Sequence, residues 1–280
     1  MIPGKSGSAA AVLITSLWLS LLSACGGPPS STGHPAIVNG RPVSEDTWPS
    51  VVFLMDKARG SVCTGTFVHP RQILTAAHCT VGGGLSGPGG HVRAEMHWVR
   101  FDPETRQLQE TVAVTHQVVR AVSADDDWAT GNPFPRPTVN PADIALLTFA
   151  EAIAPAVSGI SPAAPRSGDE LTLVGYGLGQ NLDRSNGSTC CRKREGRNNL
   201  DRNSGGYLRF AGALDTDLAD GSSASNAPGD SGGPAFANGM VAGVASGGRR
   251  SLFGSTYRNT YVDLNSRSSR RFLGQHLLVD

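Results

Sequence analysis

Net charge is nearly absent from this sequence: 24 Lys and Arg against 23 Asp and Glu leave +1 over 280 residues. So even a balance lacks the electrostatic footprint of a nucleic-acid binder. With 39% of residues hydrophobic and only 17% charged, an intrinsically disordered chain is excluded as well. Beyond Leu22 no apolar run is long enough to cross about 30 Å of hydrocarbon as a helix. Gly and Pro, 35 and 18, make up about a fifth of the chain, too little for a low-complexity protein. They still favour turns and short strands over long helices. Helical spacing is scarce, confined to Ser266 through Leu278. The length allows one large or two small domains.

Met1 to Leu22 reads as an export signal. Lys5 supplies positive charge, and Ala9 to Leu22 is an uncharged, mostly apolar run of fourteen residues, the size of a signal core and too short to span a bilayer. Leu22-Ser23-Ala24-Cys25 resembles the lipobox of bacterial lipoproteins. That resemblance implies loss of residues 1–24, lipidation of Cys25, and anchoring of the exported chain to an outer membrane or cell surface. Residues 25–36 follow as a tether or propeptide, since Gly26 to Ala36 is rich in Gly, Pro and Ser.

Five cysteines leave one odd thiol in an exported protein, and lipidation of Cys25 accounts for it. Cys63 and Cys79 lie sixteen positions apart. A bridge closing a loop of that size would contribute roughly 3 kcal/mol. Cys190 and Cys191 are adjacent, and neighbouring Cα atoms about 3.8 Å apart are closer than a disulfide prefers. A strained vicinal bridge, two free thiols or pairing elsewhere all stay open.

After residue 36, short runs rich in Val, Ile, Thr and aromatics alternate with turns: 51–55, 65–68, 72–76, 97–101, 111–119, 144–149, 171–176, 207–214, 239–244 and 260–264. Evenly spaced strands with one terminal helix predict antiparallel barrels rather than βαβ units. Ala154 to Arg166 is the natural connection between two halves. Gly82–Gly90 reads as a mobile loop, and Ser123–Pro141, with Asp125, Asp126 and Asp127, as a solvated acidic loop rather than a calcium site. Asp183–Gly206, with six Lys and Arg residues, reads as an exposed polar loop.

The chemistry concentrates in Gly229-Asp230-Ser231-Gly232-Gly233-Pro234. A serine hydroxyl needs a base to take its proton, and the oxyanion it creates needs fixed donors. Glycines around Ser231 let the backbone bend so that amides converge. One known setting for G-x-S-x-G places the serine between a strand and a helix, with acid and His following it. Asp263 and His276 do follow Ser231, but the intervening GGPAFANGMVAGVASGG reads as two strands around a turn, which excludes that elbow. The other setting has His first, then Asp, then Ser. His78 in Leu74-Thr75-Ala76-Ala77-His78-Cys79 and Asp143 in Asp143-Ile144-Ala145-Leu146-Leu147 supply that order. A carboxylate at the edge of so apolar a run needs a partner, and an imidazole N–H is one.

From Ile37 onward, roughly 240 residues, the chain resembles a trypsin-like serine protease of the chymotrypsin family. Ile37-Val38-Asn39-Gly40, Trp48-Pro49-Ser50-Val51, Cys63-Thr64-Gly65-Thr66-Phe67-Val68 and the motifs around His78, Asp143 and Ser231 carry the resemblance, with Gly175-Tyr176-Gly177 and Gly243-Val244-Ala245-Ser246. It implies an all-β fold of two antiparallel six-stranded β-barrels with a short C-terminal helix, residues 37–155 forming one barrel and 156–280 the other with the helix. Ser231 would be the nucleophile, His78 the general base and then acid, and Asp143 the group orienting the imidazole. Amides of Gly229 and Ser231 would form the oxyanion hole. No metal or organic cofactor is implied; the partners are polypeptide substrates and an activating protease, and the chain is expected to act as a monomer that binds no nucleic acid and meets a membrane only through Cys25.

Substrate binding maps onto Ser225, Ser246 and Gly248. Ser225 stands six positions before the nucleophile, where trypsins carry an Asp, so selection of Lys or Arg is not expected. Gly247 replaces a usual Trp, Gly248 matches a Gly that leaves pockets open, Ala227 replaces a usual Cys, and Asn259 is a further lining candidate. Activation would cut before Ile37 and pair its new amine with Asp230. His34-Pro35-Ala36 offers no Lys or Arg to a trypsin-like cut. That cut would also free the enzyme from a lipid on Cys25. The competing reading, a catalytically silent relative acting as an extracytoplasmic binding protein, sits poorly with retention of all three triad residues.

Overall fold

The computed structural model describes residues 37–56, 61–80, 96–101, 108–113, 116–119, 143–177, 192–213, 221–251 and 255–279. The expectations for the export signal, Cys25 and the tether, for Cys190 and Cys191, and for loops 82–90 and 123–141 fall outside these residues. The described residues belong to one compact unit, Gly33–Asp280.

The strands are β1 (Arg41–Pro42), β2 (Val51–Asp56), β3 (Ser61–His69), β4 (Gln72–Thr75), β5 (Met96–Phe101), β6 (Leu108–Ala113), β7 (His116–Val119) and β8 (Ala145–Thr148). They continue as β9 (Glu170–Gly175), β10 (Arg194–Asn199), β11 (Arg202–Ser204), β12 (Tyr207–Ala213), β13 (Pro234–Ala237), β14 (Met240–Arg250) and β15 (Thr256–Asp263). One helix, α1 (Arg267–His276), follows. One sheet runs β6-β5-β2-β3-β4-β8-β7 and the other β1-β10-β9-β13-β14-β15-β12-β11, with every pairing between them antiparallel. The protein is mostly β, in two sheets with a short C-terminal helix, as the sequence predicts. Among the described residues the sheets carry seven and eight strands. The run 111–119 divides into β6 and β7, and the short strands β1 and β11 extend the edges of the second sheet.

The segment expected as an exposed polar loop, 183–206, is corrected over its described part. It forms β10 and β11, and Lys193 is only 2% exposed. Its polar composition hides this because β10 is paired on both sides, by β1 and β9. Lys193 Nζ donates to the carbonyls of Glu45, Thr47 and Trp48 at 2.7, 3.1 and 3.1 Å. A buried ammonium with three such acceptors is satisfied.

The core joins both sheets. Ile73, Leu74, Leu146 and Phe149 from the first pack in one cluster with Val174, Phe236, Val244 and Val262 from the second. Ser266 caps α1, accepting from Ser269 N at 3.1 Å, and the helix buries Phe272 and Leu273 in that cluster. Gln72 of β4 ties the helix end down, donating to His276 O at 3.0 Å and accepting from Leu278 N at 2.7 Å.

Candidate active site

Strands β4 and β8 are antiparallel neighbours with Thr75 opposite Ala145. The end of β4 and the start of β8 therefore lie side by side. A 3₁₀ turn over Ala77–Cys79 follows β4, and Asp143 stands two residues ahead of β8, so His78 meets Asp143. The His78 amide donates to Asp143 Oδ1 at 2.9 Å, and His78 Nδ1 bonds Oδ2 at 2.8 Å. Ser246 Oγ donates to the same Oδ2 at 2.6 Å. Asp143 is only 3% exposed, and these three bonds are what allow a carboxylate there. With the carboxylate accepting at Nδ1, Nε2 becomes the basic nitrogen of a neutral His78.

Cys63 and Cys79 are joined by a disulfide of 2.02 Å. It pins the turn carrying His78 to β3. The sulfurs and the His78 ring nitrogen lie within 4.8 Å of one another, but a metal takes cysteine as thiolate, and both sulfurs here are spent on each other.

The serine turn is docked onto the first sheet by Thr64. Its amide donates to Ser231 O at 2.8 Å, its hydroxyl donates to Gly229 O at 3.0 Å, and the same hydroxyl accepts from Tyr176 N at 3.1 Å. Cys79 Sγ also lies 3.6 Å from Ser231 O, so the residue beside His78 touches the nucleophile candidate's own backbone. Gly229 and Gly232 take φ of +97° and +82°, the left-handed region that glycine enters without strain. At Gly232 a Cβ would stand 2.0 Å from Thr75 Oγ1. Amides of Asp230, Gly232 and Gly233 are consumed by carbonyls of Ala227, Ala245 and Asp230. Ser231 itself is half-buried.

Asp230, next to Ser231, is buried with its carboxylate turned to backbone amides. Its Oδ1 accepts from Gly177 N at 2.8 Å, and Oδ2 from Ala227 N at 2.8 Å and Ile37 N at 3.1 Å. Burial pushes its carboxyl up to about 6, with those three amides and the more distant Arg194 charge pulling the other way. Ile37 sits at φ +49°, an outlier for a β-branched residue. The two landmark glycines flanking Tyr176 make room for the carboxylate: a Cβ on Gly175 would lie 2.1 Å from Asp230 Oδ1, and one on Gly177 2.7 Å from its Cγ.

Among the expected substrate-binding residues, Ser225 is fully buried, and its hydroxyl accepts from Asn259 Nδ2 at 3.2 Å. Asn259 Oδ1 accepts from Asn226 N at 2.8 Å. The opening expected at Gly248 is filled: a Cβ there would meet the Tyr257 ring at 2.2 Å. Thr64, Lys193 and Tyr257 are thus positioned residues that pattern reading passes over. Only Thr64 had a signal, its place in the Cys63-Thr64-Gly65-Thr66-Phe67-Val68 motif.

Two antiparallel sheets meeting at an imidazole–carboxylate pair and a glycine-rich serine turn define the trypsin fold. The family model described as Trypsin matches residues 37–266, and the chain belongs to that family. Membership makes it a serine endopeptidase by class, a hydrolase of polypeptides. Human heparin binding protein superposes with a TM-score of 0.57 at 17% identity, covering 86% of this chain and 96% of that one. A second structure, described as the atomic resolution structure of HBP, gives 0.56 and 19% over the same shares of the two chains. A mutant of human heparin binding protein (CAP37) gives 0.57 and 18%, again with 86% and 96% covered. At these identities the likeness is one of fold.

Proposed function

We propose that the chain hydrolyses peptide bonds through an acyl-enzyme on Ser231. Ser231 Oγ attacks the scissile carbonyl as His78 Nε2 takes its proton. The oxyanion is held by the amides of Gly229 and Ser231, and His78 returns the proton to the departing amine. Water then repeats the sequence against the ester, restoring the Ser231 hydroxyl. Asp143 keeps the Nδ1 proton in place and stabilises the imidazolium, and Ser246 steadies the carboxylate. The observation that carries this reading is Asp143, buried yet bonded to both nitrogens of His78 that face it, backbone and ring. A fluorophosphonate probe should label the chain once it is cut before Ile37, and not its equally cut Ser231→Ala variant. Equal labelling of both would refute the assignment, and labelling of neither would favour a silent binding protein.

Activation, in this reading, is cleavage before Ile37 by another protease. The Ile37 nitrogen is already 3.1 Å from Asp230, and cutting turns an amide into an ammonium facing a buried carboxylate. It also relieves the φ restraint at Ile37. The chain is exported, held at the membrane by lipid on Cys25, and released when that bond is cut. N-terminal sequencing of the probe-labelled species should find Ile37 first; labelled enzyme still carrying Gly26 to Ala36 would refute it. A neutral Ser225 floor supports cleavage that does not depend on Lys or Arg.

A further inference from the structure

Substrate side chains preceding the cut bond would enter between strand 246–248 and loop 225–229, given the proposed protease reading on which this inference rests. In this chain that slot is already crowded. Tyr257 and Asn259 are alternate residues of β15 and so share one face of the sheet. Asn259 reaches the floor at Ser225, which fixes that face as the one lining the slot. Tyr257 lies on the same face, two residues nearer the strand's start. Its ring covers Gly248 on one wall, with Cε1 2.2 Å and Cζ 2.7 Å from where a Cβ would stand. On the other side it packs against Ala227 and Val38, where a usual bridging Cys is replaced. Below it, Asn226 spans the same two walls, donating from Nδ2 to Gly247 O at 3.3 Å. The Asn226 Oδ1 is buried without a partner in the structure. Burial, and secondarily the Asp230 carboxylate, push the Tyr257 phenol up, so the ring stays neutral at physiological pH.

We propose that Tyr257 is the specificity-determining residue of this protease, occupying the slot from wall to wall and limiting the residue before the cut to Gly, Ala or Ser. The absent side chain at Gly248 does not open the pocket; it houses the tyrosine.

The test uses the full chain with a site-specific cut introduced before Ile37, titrated with a fluorophosphonate and assayed on peptides differing only in the residue before the cut. A single methylene in an apolar pocket is worth about 10–200-fold in kcat/KM. Wild type should therefore favour Ala and Ser over Leu, Phe and Arg by more than about 100-fold. Tyr257→Ala should raise Leu or Phe cleavage at least about 10-fold, chiefly through KM, while Tyr257→Phe leaves the profile unchanged because the ring and not the hydroxyl fills the slot. If Tyr257→Ala does not fold, Tyr257→Val is read in the same way. A labelled wild type that cleaves after Leu or Phe as well as after Ala, or a labelled Tyr257→Ala or Tyr257→Val variant with an unaltered profile, would overturn the tyrosine assignment and leave the protease reading intact. Absence of labelling in the cut wild type would overturn the protease reading itself.

Discussion

Cutting the chain before Ile37 should change how its stability responds to pH, and Asp230 sets the size of the effect. In the intact chain this buried carboxylate faces three neutral amides and titrates at about 6 against an ordinary 3.8. The gap corresponds to about 3 kcal/mol. Between those two values the folded chain holds a proton that the unfolded chain has lost. Stability therefore falls as pH rises from about 3.8 to about 6, and the penalty is constant above that. Cleavage places an ammonium 3.1 Å from Oδ2, which favours the ionised carboxylate and removes most of the penalty. That benefit holds below the ordinary pKa of an α-amine, about 8, and fades as pH climbs through the raised folded value of Ile37. Tyr257 and Tyr261, both pushed up by burial with Asp230 adding to it, stay neutral through this window and do not blur the comparison. The measurement is thermal or urea unfolding of Ser231→Ala protein, intact and cut, from pH 4 to 9. The two forms should diverge from about pH 4 upward and differ near pH 7 by up to about 3 kcal/mol, or about 6–12 °C in Tm for a chain of this size. A difference that does not vary with pH would refute the reasoning.

Asp143→Asn should lower kcat by about 10⁴-fold, because Nδ1 of His78 loses the acceptor that sets its tautomer; steady-state kinetics against Ser246→Ala, expected to lose only about tenfold, separates orientation from support. Gly175→Ala drives a Cβ to 2.1 Å from Asp230 Oδ1 and should cost about 2 kcal/mol or more, read as a lower urea midpoint. Replacing Cys63 and Cys79 together by Ser should cost roughly 3 kcal/mol by the same measurement, and should lower kcat because the bridge anchors the turn bearing His78.

Much of the candidate site was legible because its chemistry tolerates few residue types at fixed places along the chain. His78, Asp143 and Ser231 each stand at or near the end of a strand, inside motifs whose neighbours are constrained by the same contacts. Thr75 and Gly232 show the mechanism: the threonine hydroxyl donates to Thr64 O at 2.9 Å and stands where a Gly232 side chain would be, so both motifs were bound to read alike. The strands were legible wherever one face is apolar. Leu74 and Leu146 lie opposite each other in the first core, and both announced themselves by composition.

What stayed hidden depends on partners far along the chain. Lys193 is buried because the backbone of residues 45–48, about 145 positions earlier, turns three carbonyls toward it. Nothing local distinguishes it from Arg192 and Arg197, the exposed arginines on either side of it. Its strand neighbours extend the same device: Arg194 donates to Gly40 O, and Glu195 accepts from Trp48 Nε1 at 2.7 Å and pairs with Arg41. Lys193, Arg194 and Glu195 thus hold the stretch from Ile37 to Trp48 against the second sheet, which is what brings Ile37 N within reach of Asp230. The pairing of β1 with β10 makes the same connection through the backbone. A polar run that reads as a loop is therefore the template for the segment on which activation is proposed to depend. Its charge pattern follows from the carbonyls it must satisfy rather than from exposure to water.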